Sequence, residues 1–79
     1  MRMYFNLIEG SRTFVDDEGL EVSDITDARR RAIFAARAII AAQVEEGFLD
    51  TASQIDIADI DGDIVMTIPF SEAFTTKGG

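Results

Sequence analysis

The chain contains neither cysteine nor histidine. Their absence removes disulfides, thiol nucleophiles, zinc-finger ligands and the commonest general base at neutral pH. Basic residues are scarce too, 7 against 15 acidic ones, and the resulting net charge of −8 repels nucleic-acid phosphates and anionic membrane surfaces. No stretch approaches the ~18 consecutive apolar residues of a membrane span. Residues 1–10 carry one arginine but no apolar run of signal-peptide length and no small-residue cleavage site. The sequence therefore reads as cytoplasmic, with no direct nucleic-acid or membrane ligand.

Without histidine or cysteine, acid–base chemistry would need a carboxylate of strongly shifted pKa in a cleft. Every Asp and Glu falls at an expected turn, helix end or exposed strand position, so the expectation is no intrinsic catalysis, no cofactor and no metal. The 79 residues make one domain, and a chain of about 60 residues buries only about 60% of its extended surface. Stability is expected to be modest, and oligomerisation is one way to add to it.

The one segment long and periodic enough for a helix is 25–46. Asp24 supplies an N-cap carboxylate, with Ser23 as the alternative and Asp27 three residues on in an imperfect capping box; Gly47 suits the left-handed position that closes a helix. At 100° per residue, Ile25, Ala28, Ala32, Ile33, Ala36, Ile39, Ile40 and Val44 form one broad face, which is the expected core face. Three of the eight are alanine, which lets a helix lie close to a sheet. The opposite stripe is Arg30, Phe34, Arg37, Ala38, Ala41 and Glu45, and Phe34 is out of place on a solvated surface.

The rest reads as strands and turns. Residues 2–8 alternate Met3, Phe5 and Leu7 with Tyr4, Asn6 and Ile8 and suit a pleated surface; Glu9-Gly10-Ser11 turns the chain into a short strand, 12–15. Asp16, Asp17 and Glu18 before Gly19 read as a solvated turn rather than a cation site. Leu20 and Val22 lead into the helix, and Phe48 and Leu49 after it are expected to cover the open end of the core. Residues 54–60 and 63–69 flank Asp61-Gly62, a strong hairpin signal. A two-residue turn there sets Ile57 opposite Met66 and Ile55 opposite Ile68, with Ile64 on the same face, and leaves Asp56, Ala58, Val65 and Thr67 on the other. Pro69 marks a strand end or an edge, and Phe70 and Phe74 tuck back against the body. The predicted fold is α+β, ββαββ: residues 1–74 form an antiparallel sheet with one long helix packed on one face, and 75–79 form a disordered tail.

Residues 59–63 echo an EF-hand calcium loop, but aligning Gly62 with its glycine puts Ile57 and Ile68 where oxygen ligands are needed; a β-turn is the better reading. Arg29, Arg30 and Arg31 fan over 200° of helix and are not one phosphate patch, whereas Asp27 and Arg31 are a favourable i,i+4 pair. The pattern of Tyr4-Phe5, Leu7, Gly10, Asp17-Glu18-Gly19, Asp24, Ala28, Ile55, Ile57, Asp61-Gly62 and Ile68-Pro69-Phe70 resembles a family of short bacterial proteins carrying a domain of unknown function, over residues 2–74. That resemblance implies the fold and a bacterial origin and carries no activity. A hairpin, an acidic turn and a helix also look like HicB-like antitoxin domains, which implies a small basic protein partner. The terminal Gly78-Gly79 resembles that of ubiquitin-like modifiers.

The functional expectation is a small non-enzymatic interaction or regulatory module, homo-oligomeric or bound to a protein partner, with an antitoxin-like inhibitor and a ubiquitin-like modifier as the alternatives. Two surfaces are candidates. One is the sheet face away from the helix, with Tyr4, Ile8 and Val65. The other is the outer helix stripe, where antiparallel pairing about a twofold near Arg37 and Ala38 sets Arg30 against the Glu45 of a second copy and Phe34 against Ala41.

Overall fold

The computed structural model describes residues 1–78. Its elements are β1 (Arg2–Glu9), β2 (Arg12–Phe14), β3 (Leu20–Glu21), α1 (Ile25–Glu45), β4 (Gln54–Ala58) and β5 (Ile64–Pro69), followed by a 3₁₀ turn at Phe70–Glu72. All strand pairs are antiparallel, in the order β2-β1-β4-β5, with β3 on the same edge of β1 as β2. The α+β reading with one helix on one face holds. The two-residue β3 is an addition to the expected ββαββ order, and it makes Leu20 and Glu21 a strand pairing with Met3 and Arg2.

Two short strands on one edge leave a gap along β1, because β2 pairs with Leu7–Glu9 and β3 with Arg2–Met3. Asp16 fills it. Its Oδ2 accepts the Phe5 amide at 3.1 Å and its own amide donates to Asn6 Oδ1 at 2.9 Å, while its Oδ1 accepts the amides of Glu18 and Gly19. The acidic turn is therefore built around one carboxylate that replaces a missing strand partner. Gly19 has φ +70°, and a Cβ there would lie 2.9 Å from Tyr4 Cε1 and 3.0 Å from the Met3 carbonyl oxygen, so this turn needs glycine for closeness as well as for its backbone angle.

The second hairpin keeps the expected pairs Ile55 with Ile68 and Ile57 with Met66, but one extra residue on β5 sets Ala58 opposite Ile64. The turn is correspondingly longer than two residues. Asp59 Oδ1 accepts the amides of Asp61 and Asp63, and the Asp59 backbone bonds to Gly62 and Asp63. The bulge moves Ile64 out of the Ile57 row and leaves it exposed, correcting its placement in the core.

Ala28, Ala32 and Ala36 are fully buried and one turn apart, so α1 lies close on the sheet above Ile55, Ile57 and Ile68, with Phe70 and Ala73 closing the core behind. A helix about 10 Å across covers about two strands at ~4.8 Å spacing, and α1 packs chiefly on β4, β5 and the 3₁₀ turn. The β1 side of that face is less covered: Phe5 and Leu7 are half-buried, and Phe14, opposite Leu7, is exposed. Ile25 and Val44, assigned to the core by periodicity, are exposed: Ile25 is the first residue of the helix, and Val44 lies on its flank, turned away from the buried row of Ala28, Ala32, Ala36 and Gln43. Gln43 takes the buried position near the C-terminus, its Oε1 accepting the Asp50 amide at 3.0 Å. Phe48 and Leu49 do not cap the core; both are exposed. Phe70 is fully buried and Phe74 half-buried, as the sequence implied. Residues 75–78 belong to no helix or strand, and Gly79 of the expected tail and Gly-Gly pair lies outside the described residues.

Candidate functional site

The outer stripe of α1 is the most unusual surface of the molecule. Arg30, Phe34, Arg37, Ala38, Ala41 and Glu45 are all exposed on it, and Phe34 is 73% exposed in the middle of the helix. An open hollow lies on each side of the Phe34 ring. One, of about 440 Å³, is lined by Leu20, Arg30, Arg31, Phe34 and Ala35; the other, of about 290 Å³, by Thr26, Arg29, Arg30, Ile33, Phe34 and Arg37. Arg37 is partly committed within the chain, its Nε donating to the Ala73 carbonyl at 2.6 Å and tying the 3₁₀ turn to the helix.

The N-terminal end of α1 is closed by its own side chains. Asp24 Oδ1 accepts the Asp27 amide at 2.7 Å, and Asp27 Oδ2 accepts the Ser23 amide at 3.0 Å, a reciprocal box displaced by one residue. Asp27 is buried and also bonds Arg30 and Arg31. The Ser23 amide first, then the Arg30 guanidinium, hold its carboxyl far below the usual carboxylate range against the upward push of burial, and Arg31 adds to them. These bonds offset the placing of arginines near a helix N-terminus, where cations are disfavoured. At the other end Gly47 takes φ +94° and closes the helix as expected. The last turn contains no basic residue, and Glu45 and Glu46 stand there beside a shallow apolar surface made by exposed Val44, Phe48 and Leu49.

The far sheet face is divided. Tyr4 pairs with Ala58 at one end, near bulged Val65, while Ile8 lies at the other end opposite Gln54. Between them Asn6, Asp56 and Thr67 form a polar row, in which Asp56 Oδ1 accepts from Thr67 Oγ1 at 2.8 Å and Gln54 Nε2 at 2.9 Å. Tyr4, Ile8 and Val65 thus do not form one patch. The edge of β5 is also a poor template. Phe70 donates inward to the Ser53 carbonyl, so alternation turns Thr67 and Pro69 outward, and proline has no amide to offer.

Several carboxylates are tied into turns. Asp59, Asp61 and Asp63 bring oxygens within 4.8 Å of one another, and Asp59 uses one of its oxygens for the turn amides. Burial pushes Asp16 up, but the amides of Phe5, Gly19 and Glu18 and the Arg2 charge outweigh it and the net shift is downward. The Ser53 hydroxyl, followed by the Ala52 amide, holds Asp50 down as well.

Sequence reasoning found the stripe itself but not its surroundings. Thr26 and Arg29 on one flank were missed, Val44 was assigned to the core and Phe48 and Leu49 to its cover, while Ile33, expected in the core, packs partly against it and also lines the flank. The available signal was the spacing of Thr26, Ile33, Arg37 and Val44, in steps of seven, four and seven, which places them along one line of a helix.

Residues 2–71 match the family described as Domain of unknown function (DUF6894), and the chain belongs to that family. No curated protein and no solved structure is significantly similar to it. Among the described residues no helix is long and apolar enough to cross a membrane, and no two strands pair in parallel: β1 and the last strand, β5, run the same way but are separated by β4, so they lack the side-by-side parallel pairing of a ubiquitin-like fold.

Proposed function

We propose that this member of the DUF6894 family is a non-catalytic interaction module of the cytoplasm that works as a homodimer through the outer face of α1. The observation that carries the reading is Phe34, exposed at mid-helix between two open hollows. Small Ala38 and Ala41 beside it permit close helix approach, and the order of charge along the stripe, Arg30 toward one end and Glu45 at the other, is self-complementary when two helices run antiparallel. Sedimentation over a concentration series from micromolar to millimolar tests this. A dimer that is lost in Phe34→Glu is expected; a monomer throughout, or a dimer indifferent to that substitution, rejects the reading.

A second reading, an antitoxin-like inhibitor of a basic protein, is favoured by the net charge of −8. It predicts a monomer that is captured from native lysate with a cationic partner, and loss of that capture at high salt.

A further inference from the structure

The sequence pairs only the middle of the stripe, whereas the structure contains two further features at opposite ends of the same helix. Near the N-terminal end is the hollow lined by Thr26, Arg29, Arg30, Ile33, Phe34 and Arg37. At the C-terminal end is the exposed apolar patch of Val44, Phe48 and Leu49. Val44 lies on the line of Thr26, Ile33 and Arg37, so both features occupy one flank of α1. The Phe48 amide bonds back to the Gln43 carbonyl at 3.0 Å, which holds Phe48 against the last turn instead of letting it trail away.

A twofold axis that relates two antiparallel helices runs perpendicular to both of them and to the line joining them. It reverses the direction of the helix but leaves each flank on its own side. With the axis at the level of Arg37 and Ala38, position n of one helix meets position 75 − n of the other. Val44 then comes level with Arg31, and Phe48, folded back on the last turn, with the stretch between Thr26 and Arg30. The patch of each copy thus arrives at the hollow of the other on the same flank, and Leu20 is on the opposite flank. Charge agrees with this seating. The hollow is rimmed by Arg29, Arg30 and Arg37, while Glu45 and Glu46 stand in the same last turn as the patch, with no basic neighbour there.

Resting on the homodimer reading, we infer that the Val44, Phe48 and Leu49 patch of each copy seats in the Thr26, Ile33 and Arg37 hollow of a second copy. The occupant of that hollow is the C-terminal end of the partner's α1, and the interface has two such identical seats flanking the central Phe34 contacts.

The test is disulfide trapping, which the absence of native cysteine makes clean. Thr26→Cys with Phe48→Cys in one chain places the two thiols at opposite ends of a helix about 31 Å long, so any bridge joins two copies. Mild oxidation is expected to give covalent dimer at least tenfold faster than in the opposite-flank control, Leu20→Cys with Phe48→Cys. Equal rates, or a faster control, overturn the seating. Sedimentation of the unmodified chain separates the two levels: a dimer without the Thr26 to Phe48 bridge rejects this register and leaves self-association standing, while a monomer rejects both. As a check free of cysteine, Phe48→Asp should raise the dimer Kd at least tenfold with unchanged monomer circular dichroism, and an unaltered Kd counts against the seat.

Discussion

The two ends of α1 are finished in different ways. At the N-terminal end the charges next to the cap are paired within the chain: Asp24 caps Asp27, Asp27 takes the Ser23 amide, and Arg30 and Arg31 share the Asp27 carboxylate. At the C-terminal end the backbone is closed by Gly47, but Glu45 and Glu46 oppose the helix dipole and Val44, Phe48 and Leu49 face solvent. A side chain near the N-terminus is held by what it does for its own fold. Near the C-terminus Gln43 is tied to Asp50 in the same way, but Val44, Glu45, Phe48 and Leu49 face solvent, and that end is where a second copy has something to add.

The largest effect that would break this contrast is a stability difference between aromatics. Phe70 is 0% exposed and Phe48 51% exposed; in urea unfolding of dilute protein, Phe70→Ala is expected to lose about 3–5 kcal/mol and Phe48→Ala less than about 0.5 kcal/mol. Similar losses would mean that the C-terminal patch is part of the core after all.

Asp27 comes next. Its replacement by Asn weakens the bonds to Ser23, Arg30 and Arg31 together, and the fall in Tm at pH 7 should exceed that of Asp24→Ala. The sign with pH is fixed by the shift. A carboxyl held below its ordinary value of 3.8 stabilises the fold fully above the unfolded pKa, and that contribution drains away as pH falls through about 4 and below, because the unfolded chain takes up the proton first. Asp16 shifts the same way. Stability of the unmodified chain should therefore decline between about pH 5 and pH 2, and Asp27→Asn should decline less steeply over that range; parallel curves would contradict the hub role.

Smaller again is the cap itself. Asp24→Ala should lose about 1 kcal/mol, read as a drop in Tm of about 4–8 °C. The smallest effect has the opposite sign. Glu45→Arg places a cation at the helix C-terminus and should stabilise the dilute monomer by about 0.3–1 kcal/mol at low salt while weakening the dimer, which regains strength when Arg30→Glu is added. A Glu45→Arg monomer less stable than the parent would show that Glu45 is not strained against the dipole.

Much of this molecule was legible in order of residues alone, because the relevant forces are local. The cap at Asp24, the closing glycine at Gly47, the Ala28, Ala32 and Ala36 seam and the pairing of Ile55 with Ile68 follow from neighbours a few positions apart or from a two-residue alternation. The exposed stripe with Phe34 was visible for the same reason: helical periodicity alone singles it out. What depended on reach across the fold was not legible. A one-residue bulge exposes Ile64, the sheet meets the helix on the Ala28, Ala32 and Ala36 row and so leaves Val44 on an open flank, and Gln43 is buried because Asp50, seven residues on, returns to satisfy it. Asp16 looked like one carboxylate of a solvated run, yet it substitutes for a strand along β1, a role set by the gap between β2 and β3. Sequence by itself thus determined the elements, the faces and the sign of the charge at each helix end, since backbone sterics and periodicity act within a turn or a strand. Tertiary structure alone decided which ends of those faces are covered, because one helix is wide enough for only about two strands and the chain had to leave the remainder open.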